Sequence, residues 1–107
     1  MTSCKKNSIL INLKLATTSL RRLKLKHIDE IDDTYINNYH KIIGENVKRI
    51  RKEKGLSQLD LSHRIGHKSV SIISCAEINH KNNRFNIEHL LKIAYVLEVD
   101  VCEFFRK

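Results

Sequence analysis

No proline occurs in this chain of 107 residues, and glycine occurs only three times. Helix stops must therefore come from those glycines, from asparagine and from capping residues. Three scattered glycines also exclude a glycine-rich loop that cradles phosphate. Cysteine is equally scarce. Cys4, Cys75 and Cys102 are far apart, odd in number and form no CxxC. That argues against a disulfide framework or a zinc site and for a reducing compartment, the cytoplasm. No apolar run approaches the roughly 20 residues of a membrane span. Near the N-terminus, Asn12 and Lys14 interrupt "SILINLKLA", so it is not read as a targeting peptide. No paired carboxylates and no nucleophile–base pair stand out, so neither an enzyme nor a cofactor is expected. Among six histidines, His63 and His67 are four apart. Gly66 separates them and no third ligand falls at suitable spacing, so no metal is expected.

Acid is the scarcer charge. Twelve Asp and Glu stand against 20 Lys and Arg, a net charge of +8. This balance favours a polyanionic partner, nucleic acid or an acidic membrane surface. With 41% apolar and 30% charged residues, the chain reads as one small soluble globular domain with an extension. Residues 1–26 hold seven bases and no acid. Ile9, Ile11, Leu13 and Leu15 alternate with other residues, and so do Leu23 and Leu25, the period of a strand or hairpin. Residues 1–33 are therefore read as a basic N-terminal extension and 34–107 as the folded domain.

From residue 34 the period becomes helical. Asp33 or Thr34 can cap a first helix, with apolar positions Tyr35, Tyr39, Ile42, Ile43, Val47 and Ile50 following Ile31. Gly44 leaves open one long helix or two short ones, and Gly55 ends the run. "SQLD", Ser57–Asp60, is a capping box for a helix from Gln58 to Ile65, which stops at Gly66. Another helix is expected from Ser69 to Ile78, with Asn79 as its left-handed stop. Asn86 caps a helix whose apolar face is Ile87, Leu90, Leu91, Ala94 and Leu97. "DVCE", Asp100–Glu103, reads as a second box opening a last short helix. The sum is an all-α domain of five helices.

Two short helices joined around Gly66 make a helix-turn-helix, whose second helix can lie in the major groove of DNA. The stretch "IGENVKRIRKEKGLSQLDLSHRIGHKSVSIISCAE", followed by "FNIEHLLKIAYVLEVDVCEFF", resembles the Cro/C1-type (XRE-like) helix-turn-helix domains of phage and bacterial repressors. The resemblance covers roughly residues 40–105. It rests on "IG..V..IR...GLSQ..L", the glutamate closing the third helix, and "L..IA..L.V", in that order. It implies a lambda-repressor-like fold. The chain departs from the pattern in a longer turn before Glu77 and a longer loop after it, where Arg84 or Phe85 stands in place of a frequent proline.

On a helix starting near Ser69, Ile73, Ala76 and Glu77 point to one side, and Ser71 and Cys75 to the other. The second side would face the groove. Small residues there allow close approach, serine can bond base edges or phosphate, and Val70 can touch a thymine methyl. Lys68, Ser69, Val70, Ser71, Ser74 and Cys75 are thus the candidate base contacts; for Ser69 and Ser71, simple capping of the helix competes with that role. The resemblance implies that Gln58 clamps a phosphate and that Glu77 pairs with Arg51 in the first helix. An exposed Glu77 of little consequence is the alternative. Lys54, Arg64, Asn82, Asn83, Arg84 and Asn86 flank the same surface as candidate phosphate contacts. The expected partner is double-stranded DNA, read by a homodimeric transcriptional regulator, a repressor. The alternative is the antitoxin of a toxin–antitoxin pair, which binds its own promoter and holds a toxin with residues 1–33.

Overall fold

The computed structural model describes residues 25–107. The expected strand or hairpin of the first 26 residues lies almost wholly outside them. By contacts the chain divides into Met1–Asp32 and Asp33–Lys107. In the first unit, Ile28–Glu30 form one 3-10 turn, whose start is held by the His27 ring accepting the Asp29 N–H.

The second unit is built of four α-helices and short 3-10 segments, and among the described residues there is no strand. Helix α1, Asp33–Glu53, is single. It passes unbroken through Gly44 because the helix propensity of its other residues outweighs one glycine. Gly55, at φ 76°, turns the chain. Helix α2, Gln58–Arg64, starts on Ser57, whose hydroxyl accepts the Asp60 N–H at 3.0 Å. Gly66, at φ 89°, ends it. Helix α3 is Ser71–Glu77, and Asn79 follows in the left-handed conformation at φ 53°. After a 3-10 turn at His80–Asn82 comes helix α4, Ile87–Leu97. Asn86 and His89 form a reciprocal capping box at its start, the asparagine oxygen accepting the His89 N–H at 2.7 Å.

The fifth helix is shorter and tighter than expected. Val101–Phe105 is a 3-10 helix; the Asp100 side chain accepts the N–H of Cys102, while the Asp100 carbonyl accepts that of Glu103. The Asn46 amide of α1 then binds the carbonyls of Phe104 and Arg106 at 3.0 and 2.6 Å, fastening this end to α1.

Val47, Leu61, Ile73, Leu90, Ile93, Leu97 and Phe104 form the centre of the core. Each such side chain contributes about 1.5–3 kcal/mol by leaving water. The expected face of α4 needs correction. Ile87 and Leu91 are exposed, and Ile93 takes the inward place. Both rows satisfy helical spacing, so only packing against α2 and the closing 3-10 helix selects between them. Ile31 and Tyr35 are likewise exposed rather than core. Cys75 is free. No helix among the described residues is long and apolar enough to cross a membrane.

Two histidines couple the fold to pH. Burial holds His40 and His89 below the ordinary imidazole range; Arg84 adds its charge to the first, and His67 to the second. His89 also accepts the Asn86 N–H on Nδ1, which its protonated form cannot do. Unfolded histidine titrates near about 6.5, so the unfolded chain takes up protons first as pH falls. Stability is full above about pH 6.5 and declines below it, toward the depressed native values. Melting temperatures measured from pH 7.5 down to about 5 should fall, and less steeply in His89→Gln. Equal slopes would remove His89 from this account.

Candidate nucleic-acid interface

Helices α2 and α3 meet through residues 65–70. The second of them begins two residues later than its sequence suggests. The Ser69 hydroxyl accepts the Ser71 N–H at 3.2 Å and bonds the Ser71 hydroxyl at 2.9 Å. This local turn competes with helix at Ser69. Val70 becomes the cap position, with no side-chain cap bond, while its carbonyl starts the helix by accepting from Ile73 and Ser74 at 3.0 Å. Lys68, Ser69 and Val70 therefore sit on the approach to the helix, not on it.

Helix α3 has two sharply different sides. Ile73, Ala76 and Glu77 are buried, with Ile73 at 0% exposure. Ser71 is exposed, and Ser74 and Cys75 are half-buried. The turn of Lys68–Val70 and the row Ser71, Ser74, Cys75 thus form one continuous outward strip. Ile78, 62% exposed, extends that strip by one further turn. In sequence Ile78 marks only the end of the helix, and its exposure is what adds it to the strip.

A buried ion pair fixes how this strip is presented. Arg51 of α1 and Glu77 of α3 are only 6% and 2% exposed. Arg51 Nε lies 2.8 Å from Glu77 Oε1, and a terminal nitrogen donates to Oε2 at 3.2 Å. The other terminal nitrogen donates to the Leu56 carbonyl at 2.8 Å. One guanidinium therefore joins α1, the loop before α2 and the end of α3. The Gln58 amide nitrogen leans toward the same carboxylate at 3.5 Å, the outer limit of a hydrogen bond. Glu77 is thus buried rather than an exposed charge.

Gly44 is the second device that sets α3. A Cβ there would lie 2.5 Å from the Glu77 carbonyl oxygen and 2.8 Å from that of Ala76. The backbones of α1 and α3 touch at this point because glycine has no side chain. Its place within a helical run was the available signal, but by itself it leaves open one long helix or two short ones.

The other candidates separate into groups. Lys54 is exposed at the end of α1. Asn82, in the left-handed conformation, belongs to the turn packed on α3. Asn83 donates to the His80 carbonyl at 2.8 Å, Arg84 binds the Asn37 side chain, and the Asn86 oxygen caps α4. Asn83 and Asn86 are thus engaged within a few residues of themselves, and Arg84 is engaged with α1. Arg64 stands beside Leu91, Lys92 and Tyr95, on a groove to which α3 contributes no residue. His63 is exposed, whereas His67 meets the His89 ring edge-on with centroids 5.3 Å apart. Among the described residues, no three His, Cys, Asp or Glu side chains gather as metal ligands would.

This geometry of two short helices, the second outward-facing and anchored at its end by an arginine from the first helix, agrees with a comparison of sequences. A helix-turn-helix family model matches residues 47–104, just over half of the chain. No curated protein and no solved structure matches it.

Proposed function

The chain belongs to the Cro/C1-type helix-turn-helix family, whose members bind DNA and regulate transcription, and from that premise we propose that it is a sequence-specific repressor acting as a homodimer and not as an enzyme. Helix α3 enters the major groove. Ser71 and Cys75 face the base edges, with Ser74 beside them, and Val70 meets a thymine methyl. Lys68 and Ser69 reach a base or phosphate at the approach to the helix. Gln58, Lys54 and the turn at Asn82 bind the backbone. The observation that carries this reading is the division of α3. Its inner side is locked to α1 by Arg51 and Glu77, while the outer side presents small, partly polar residues that let a helix approach closely. The net charge of +8 supplies long-range attraction to phosphate.

Selection of binding sites from random-sequence DNA at two salt concentrations tests it. The expected product is a two-fold symmetric motif, with half-sites about 34 Å apart, or one helical turn. Affinity should fall as salt rises, since each neutralised phosphate releases counterions. A Ser71→Glu, Cys75→Glu variant with unchanged melting should lose about 100-fold or more, because two carboxylates would face the groove. Weak binding without an enriched motif, shared by the variant, would overturn the sequence-specific reading and direct attention to a protein partner.

A further inference from the structure

Helix α4 carries a second apolar row. Ile87, Leu91 and Tyr95, four residues apart, are 66%, 53% and 87% exposed, although the helix is otherwise packed into the core. Beside the row a groove of about 490 Å³ opens toward the end of α2, with Arg64, Gly66, Leu91, Lys92 and Tyr95 among its walls. Gly66 leaves that wall low. Glu88 and Lys92 pair at 2.9 Å along one flank of the row. Arg64, on the groove wall beside Lys92, is exposed and makes no ion pair among the described residues.

We propose that this face of α4 binds the same face of a second copy of the chain, an inference that rests on the dimeric reading above. The charge pattern favours a second copy as the occupant. Two α4 helices set antiparallel about a two-fold axis at Leu91 bring each position 91+n opposite 91−n. Ile87 of one copy then covers Tyr95 of the other and enters its groove. Glu88 falls beside Lys92 and Arg64 of the other copy, and symmetry repeats the match. The row is complementary to itself in both shape and charge, which a foreign partner would not require.

The area sets the strength. The three side chains expose roughly 400–500 Å² per copy, about half of the ~800 Å² per partner in a standard interface. With its polar rim the contact supports a weak dimer, in about the micromolar range. None of the groove residues named here belongs to α3, so the outward strip of α3 stays open to DNA.

Sedimentation equilibrium of the full chain tests this, from roughly micromolar to submillimolar concentrations. The wild type should pass from monomer to dimer. Leu91→Glu and Tyr95→Glu should stay monomeric with unchanged circular dichroism and melting, since both side chains are exposed. Glu88→Arg should weaken the dimer about tenfold, and adding Arg64→Glu should restore part of the loss. A wild type that remains monomeric, or a Leu91→Glu variant that dimerises as tightly as the wild type, overturns the proposal. The two readings fail separately. A monomeric wild type that still selects a DNA motif overturns this interface alone. A dimer broken by Leu91→Glu whose wild type selects no DNA leaves the interface and overturns the DNA reading.

Discussion

Glu77→Gln will cost the domain about 3–5 kcal/mol, because it strands the Arg51 guanidinium in the interior without a counter-charge. Against a total of about 5–15 kcal/mol for a domain of ordinary stability, that is a large share. The argument rests on burial. Exposed pairs such as Arg49–Glu53 and Lys92–Glu88 gain little, since water screens them. Arg51 and Glu77 are 6% and 2% exposed, and each relies on the other for its compensation. Glutamine keeps the shape and removes only the charge. Urea unfolding measures the loss. A cost below about 1 kcal/mol would mean that water reaches the pair and that it does not anchor α3.

A double replacement separates charge from position. Arg51→Met with Glu77→Leu removes both charges and should recover much of the stability, as apolar substitutes for buried pairs often do. It should not restore binding to the selected DNA. The Leu56 carbonyl loses its donor and the end of α3 loses its tether. Recovery of full affinity in the double variant would show that packing alone orients the helix.

How much of this was legible beforehand depended on whether a feature is local. Ser57, Asn86, Gly55, Gly66 and Asn79 act within a few residues of themselves, and the sequence announces them. The start of α3 was misplaced by two residues because Ser69 can cap a helix or close a turn, and the choice belongs to the fold. The two apolar rows of α4 obey the same periodicity. Only the position of α2 and the closing 3-10 helix decides that Ile93 is core and Leu91 is surface. The Arg51–Glu77 pair spans 26 residues of sequence and was reached through the family resemblance. No spacing rule would have supplied it. The outward strip of α3 was legible because one helix settles it, whereas the engagement of Arg84 was not, because its partner Asn37 lies on α1, 47 residues away in sequence.

Gly44 shows the same limit most sharply, and it supports the second large prediction. In a helix, glycine costs about 1 kcal/mol relative to alanine, so Gly44→Ala should stabilise α1 if nothing else were near. Instead its Cβ would meet two carbonyl oxygens of α3 at 2.5 and 2.8 Å. Backbone atoms cannot swing aside as a side chain does, so α1 and α3 must part. Overpacking of this kind costs about 1–3 kcal/mol, and contact with two rigid backbone carbonyls puts it at about 3, so after the helix gain of about 1 kcal/mol a net loss of about 2 kcal/mol remains. The displacement falls on the end of the helix that carries Ser71 and Cys75. Affinity for the selected DNA should therefore drop about tenfold or more even well below the melting temperature. Gly55→Ala is the control. It too is strained, at φ 76°, but it has open space around it and does not touch α3. It should lose about 1–2 kcal/mol of stability and keep its DNA affinity. Equal affinity losses in the two variants, or a Gly44→Ala protein that melts higher than the wild type, would overturn the idea that this glycine sets the position of the DNA-facing helix.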